Sequence, residues 1–110
     1  MTTASTQLDT IGCVKEATAI LGDKWTPQLL RFLANERAVR FCNLQERAEG
    51  INPRTLSARL DTLEKRGIIA KVPTTGTRCE YRLTERGRDL MPILKQMELW
   101  GEKYKMVAIN

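Results

Sequence analysis

Three cysteines, Cys13, Cys42 and Cys79, and the absence of histidine bound the covalent chemistry open to this chain. A thiolate can be a nucleophile, a redox centre or a metal ligand. No two of these cysteines have the spacing of a zinc knuckle, however, and three cannot pair completely. Without histidine, a glycine-rich phosphate loop or paired carboxylates, no group is poised for catalysis, so neither an enzyme nor a metal or cofactor is expected. Recognition chemistry is better represented. Within residues 53–66 lie Arg54, Thr55, Ser57, Ala58, Arg59 and Lys65. Guanidinium forks match guanine edges and phosphates, hydroxyls reach phosphate oxygens, and alanine allows close approach or contact with a thymine methyl.

These residues need a rigid element to present them, and the stretch supplies one. Asn52 can cap a helix, Pro53 at its first position forfeits no hydrogen bond, and Gly67 can take the left-handed conformation that ends it. Leu56, Leu60 and Leu63 fall at i, i+4 and i+7, one apolar stripe. At about 100° per residue Arg54, Thr55, Ala58, Thr62 and Lys65 lie opposite, with Ser57 and Arg59 on the flanks. Charge placement points the same way. Residues 53–88 carry nine basic and four acidic side chains, while the segments on either side are neutral, so the whole net charge of +5 sits on this helix and the segment after it. A basic surface on a neutral body suits a polyanion such as double-stranded DNA.

The flanking chain supplies the supports. Cys13, Ala17, Ile20 and Leu21 have helical spacing closed by Gly22, and Asp23 then caps a second helix running from Trp25 to about Ala34, with Pro27 in its first turn and Trp25, Leu29, Phe32 and Leu33 inward. Residues 39–48 form a short third helix with Phe41, Leu44 and Ala48 on one side. The turn Glu49-Gly50-Ile51 joins it to the helix of residues 53–66, as in a helix-turn-helix. Beyond Gly67 the period changes to two: Arg78, Glu80 and Arg82 alternate with Cys79, Tyr81 and Leu83, and Ile68–Val72 is the partner strand. The Pro73–Thr77 tip between them makes a wing, with Arg78 placed for a minor groove or a phosphate. Cys42 and Cys79 are assigned to packing. Thr84 can cap a last helix that Pro92 kinks or restarts. Its apolar face, including Leu94, Met97, Trp100 and Tyr104, is wider than one core seam, which predicts a homodimer through this helix and the first.

The expected architecture is therefore mostly α with a small β-wing: a winged helix-turn-helix of about five helices and a two-stranded antiparallel hairpin. Its 110 residues suffice for one domain, residues 13–110, behind a flexible polar tail of residues 1–12 that lacks the pattern of a secretory signal. No apolar run reaches the ~20 residues of a membrane span, so a cytoplasmic location is expected.

The sequence resembles the HxlR-type winged-helix transcriptional regulators of bacteria and archaea. The resemblance rests on Cys13 near the start, Leu21-Gly22-Asp23-Lys24-Trp25-Thr26, Arg40-Phe41-Cys42-Asn43-Leu44 and Ile51-Asn52-Pro53-Arg54-Thr55-Leu56-Ser57-Ala58-Arg59-Leu60. It continues through Leu63-Glu64-Lys65-Arg66-Gly67-Ile68-Ile69, Glu80-Tyr81-Arg82-Leu83-Thr84-Glu85-Arg86-Gly87 and Trp100-Gly101, and so spans residues 13–104. It implies a dimeric DNA-binding repressor or activator with helix 53–66 in the major groove and the wing on its flank, and a symmetric dimer so placed would meet a near-palindromic operator. Several such regulators respond to oxidants or electrophiles through a cysteine ahead of the first helix, the place Cys13 holds. Val14 replaces the proline often found after that cysteine, and Thr74-Thr75-Gly76-Thr77-Arg78 replaces a proline-rich approach to the second wing strand.

Two readings of Cys13 stand at this point, a sensing thiol and a buried small hydrophobe. Arg59 likewise either meets DNA or braces the third helix. The rival to DNA binding is a winged helix used for protein or RNA contact without redox sensing, since a fold does not fix a function.

Overall fold

The computed structural model describes residues 3–74 and 79–105. The elements run α1 (Thr3–Leu21), α2 (Thr26–Ala34), β1 (Val39–Arg40), α3 (Phe41–Arg47), α4 (Pro53–Lys65), β2 (Ile69–Pro73), β3 (Cys79–Leu83), α5 (Glu85–Arg88) and α6 (Met91–Tyr104). This is the expected winged helix-turn-helix, with two differences that have physical causes.

The first helix does not open at Cys13. It begins at Thr3, so residues 3–12, expected as a tail, are helical. Hydroxyl-rich composition suggests a tail, but this segment has no proline to stop a helix. The second difference is β1. Spacing places residues 39 and 40 in a helix, yet they form a short strand on the free edge of the wing, with Val39 opposite Tyr81 and Arg40 opposite Glu80. The sheet thus has three strands in the order β1-β3-β2 rather than two. Two residues are too few to show a period, and only the edge of β3 makes them a strand. At Pro92 the restart, rather than the kink, is what forms: the proline lies in the first turn of α6, where it loses no hydrogen bond, and the last helical stretch is divided into α5 and α6.

One core supports all of this. Leu29, Leu30 and Leu33 of α2, Leu44 of α3, Leu56, Leu60 and Leu63 of α4, Ile68, Ile69 and Leu83 of the wing and Leu94 of α6 are buried together. Ile20 and Leu21 attach α1 to it, and Trp25 and Phe32, expected inside, are partly buried at its margin. Gly50 (φ +91°) turns the chain between α3 and α4, and Ile51 is buried behind that corner. Its amide donates to the carbonyl of Ala48 at 3.1 Å, which closes the turn.

Candidate nucleic-acid interface

The helix that would read DNA is held at both ends. The Asn52 side chain accepts from the Thr55 amide at 2.8 Å, which is the expected cap. At the other end Gly67 takes φ +75°, and the Ile68 amide donates to the Leu63 carbonyl at 2.9 Å. The chain segment after the wing then clasps this end. The Thr84 hydroxyl donates to the Gly67 and Ile68 carbonyls and accepts from the Gly87 amide at 3.1 Å, while Arg86 donates to the Arg66 carbonyl at 3.0 Å. Thr84, Arg86 and Gly87 therefore fix where the helix ends relative to the sheet, a role their spacing in sequence does not reveal.

Burial divides α4 cleanly. Leu56, Leu60 and Leu63 are inside, Arg54, Ser57, Ala58, Asp61, Thr62 and Lys65 are exposed, and Thr55 is half-buried at the capped end. The Thr62 hydroxyl is turned back onto the Ala58 carbonyl at 3.0 Å. Asp61 is the member of this face that sequence reasoning missed. Seven residues make almost two full turns, so helical geometry alone sets it on the same outward line as Arg54, with Lys65 one turn further along.

Arg59 finds its ionic partner at the start of the second helix. Its guanidinium lies 4.0 Å from an Asp23 carboxylate oxygen at the start of α2. Asp23 is the most connected side chain of this corner. One oxygen accepts from the Trp25 and Thr26 amides at 2.7 and 2.8 Å, and the other from the Thr26 hydroxyl. Asp23 thus does the expected capping from two residues before Trp25, the residue at the helix boundary, which has no side-chain cap of its own. Burial raises the Asp23 carboxyl pKa, but the Thr26 hydroxyl, the two amides and Arg59 together outweigh it and hold the group below the usual aspartate value.

On the sheet side of α4, Tyr81 is nearly buried, and its phenol is pushed above its ordinary value, by burial first, against the opposing effect of Lys71 and with smaller contributions from Cys79, Glu64 and Asp61. Arg78 and residues 75–77 lie outside the described residues, so the wing-tip contact has no geometry here.

Cys13 is exposed on α1, which removes the reading of it as a buried hydrophobe. Cys42 is exposed as well, so its assignment to packing fails: at the second position of α3 it points away from the face that buries Leu44. Cys79 is half-buried at the start of β3. Three residues after Cys13, Glu16 pairs with Arg66 at the end of α4, 3.2 Å away, joining elements 50 positions apart.

The residues expected at a dimer interface separate. Leu94 is 3% exposed and belongs to the protomer's own core, where it faces α2, so it is not available to a partner. Met97, Trp100 and Tyr104 are exposed, Trp100 at 68%, together with Ile93, Leu99 and, on α1, Val14. The Trp100 and Tyr104 rings lie 5.2 Å apart at 45°, a single aromatic surface one turn long.

With this geometry in place, the profile describing HxlR-like helix-turn-helix proteins matches residues 20–108. The chain belongs to the HxlR-like family. It is similar to the uncharacterized HTH-type transcriptional regulator YdeP of Bacillus subtilis (strain 168), with 38% identity over 97 residues covering 86% of this chain and 75% of that one. Among solved structures, this HxlR-like chain is similar to the redox regulator HypR in its reduced form, with TM-score 0.77 and 32% identity over 84% of this chain and 92% of HypR. It is also similar to the reduced form of the transcriptional regulator YodB from B. subtilis, with TM-score 0.72 and 27% identity over 82% and 89% of the two chains. The protein is a helix-turn-helix transcriptional regulator, as the family and these relatives are. Among the described residues no helix is long and apolar enough to cross a membrane.

Proposed function

We propose that this regulator binds a near-palindromic site on double-stranded DNA as a cytoplasmic homodimer, each protomer laying α4 in a major groove with the half-sites about one helical turn apart. The carrying observation is the outward stripe of α4, where Arg54, Ala58 and Lys65 are exposed above three fully packed leucines. Arg54 has no ion pair among the described residues, so its guanidinium is free for a guanine edge or a phosphate. Thr55 and Ser57 reach phosphates or base edges, Lys65 anchors the far end, and Arg78 makes the flanking contact from the wing. Arg59 serves DNA only indirectly, through its pairing with Asp23. The exposed apolar residues of α6, with Val14 of α1, supply the surface for the second protomer.

Fluorescence-anisotropy titration against duplexes tiled from the DNA flanking the coding region tests this. Arg54→Ala should lose about 1–3 kcal/mol of binding and lower the salt slope by about one unit, whereas Arg59→Ala should change both less. Unchanged affinity and salt slope for Arg54→Ala would remove α4 from the groove. Preference for a single-stranded RNA over every duplex would instead favour the protein- or RNA-contact reading of the fold.

A second element of the proposal concerns Cys13. Its exposure and its position on α1, one turn before the Glu16–Arg66 pair, suit a thiol whose oxidation or alkylation by an electrophile is felt at the end of α4. The similarity to HypR and YodB, described in reduced forms, supports a redox effector. If Cys13→Ser responds to diamide or a quinone as the unmodified chain does, sensing through this thiol is refuted.

A further inference from the structure

An acidic side chain sits in the middle of the surface that the proposed function turns toward a polyanion. Arg54, Ala58, Asp61 and Lys65 succeed one another along the exposed stripe of α4. Asp61 has neither a hydrogen bond nor an ion pair to another described residue, although Lys65 follows it by one turn. One turn before it are Ser57 and Ala58, both small and exposed, so nothing bulky keeps this part of the helix from a groove floor. Glu64, the other acid of the helix surface, is turned about 60° further round toward the sheet side; both carboxylates act on the Tyr81 phenol there, Glu64 more strongly than Asp61.

A carboxylate brought close to phosphates is repelled, and as an acceptor it gains nothing from guanine O6 and N7 or thymine O4, which are acceptors themselves. It gains where a base offers an amino group into the major groove. The cytosine 4-amino group is the usual partner of a carboxylate, and adenine suits the bidentate amide of asparagine or glutamine better. An unpaired aspartate between an arginine and a lysine therefore trades general affinity for discrimination.

We propose that Asp61 is a specificity-determining residue, whose carboxylate accepts from the 4-amino group of a cytosine at one position of each half-site and disfavours guanine and thymine there. The inference rests on the reading that α4 enters a major groove of duplex DNA, and the test separates the two. The unmodified chain, Asp61→Ala and Asp61→Asn are each used to select sites from a pool of duplexes with a randomised core, and the affinity of each for a scrambled duplex is measured in the same buffer. The unmodified chain should enrich a two-fold-symmetric site with one fixed cytosine per half. Asp61→Ala should keep the remainder of the site, lose about fivefold or more of the preference at that position, and bind the scrambled duplex severalfold more tightly. Asp61→Asn should move the preference toward adenine. The same cytosine preference in Asp61→Ala as in the unmodified chain, or no cytosine in the enriched site, overturns the role of Asp61 while leaving DNA binding intact. Failure of the unmodified chain to enrich any duplex overturns the DNA reading and this inference with it.

Discussion

Replacing Asp23 by alanine should be among the most damaging single changes to a partly exposed residue in this protein. The carboxylate accepts two backbone amides at the start of α2, at 2.7 and 2.8 Å, and the hydroxyl of Thr26, a residue only 2% exposed. Losing a helix N-terminal acceptor costs about 1 kcal/mol, and a buried hydroxyl left without its partner costs about 1–3 kcal/mol. The pairing with Arg59, at 4.0 Å and partly solvated, adds about 0–1 kcal/mol. Together these give a loss of about 2–5 kcal/mol, a large share of the roughly 5–15 kcal/mol that keeps such a domain folded. Urea denaturation followed by far-ultraviolet circular dichroism, at matched protomer concentration because association would stabilise the folded state, measures it. Asp23→Asn should cost less, since the amide oxygen still accepts from the backbone while the charge is gone. The pH dependence has a definite sign. The folded-state pKa is depressed, so the stability it contributes is full above the ordinary aspartate range and is lost as the pH falls through the folded value. The gap between the unmodified chain and Asp23→Asn should therefore narrow as acid is added below that range. A loss under about 0.5 kcal/mol for Asp23→Ala at neutral pH, or a gap that stays constant into acid, would refute this account of the corner.

Gly87→Ala should destabilise by well over the ~1 kcal/mol of a simple glycine exchange, because a methyl group there collides with the Ile68 carbonyl oxygen, a backbone atom that no rotamer change can move aside; thermal unfolding reads the loss. Asn52→Ala should cost about 1 kcal/mol in urea and lower DNA affinity in proportion to fraying of the first turn of α4, with Asn52→Asp largely retaining the cap. Met97→Ser combined with Trp100→Ser should shift sedimentation from dimer to monomer with little change in far-ultraviolet circular dichroism, since both side chains are exposed on the protomer, whereas Leu94→Ser should unfold it.

The site is legible in sequence to the extent that it rests on local rules. Asn52, Pro53 and Gly67 mark α4 to within a residue, and the Leu56-Leu60-Leu63 stripe identifies its inner face, because caps and a 3.6-residue period are set by a few adjacent positions. Gly50 and Ile51 mark the corner for the same reason. Asp61 is within reach of the same arithmetic, since it lies nearly two whole turns from Arg54, but attention to basic residues passes over it. Arg59 cannot be assigned that way, since its flank angle is compatible with two neighbours and its partner Asp23 lies 36 positions away. Cys42 and Leu94 are misassigned in opposite directions. Each is apolar at helical spacing, and periodicity says which residues share a face without saying what that face meets.

The sequence by itself determined the order of elements, the capped helix with its basic, small-residue outer face, the corner before it and the wing after it, because each is encoded by near neighbours. Only the tertiary structure decided that β1 completes a third strand, that Thr84 and Arg86 clasp the end of α4, that Asp23 holds α2 and Arg59 together, and that Glu16 links α1 to Arg66. The physical reason is the same in every case. These contacts join residues far apart in the chain, and a hydrogen bond or ion pair between them exists only once the common core has brought their backbones within a few ångströms.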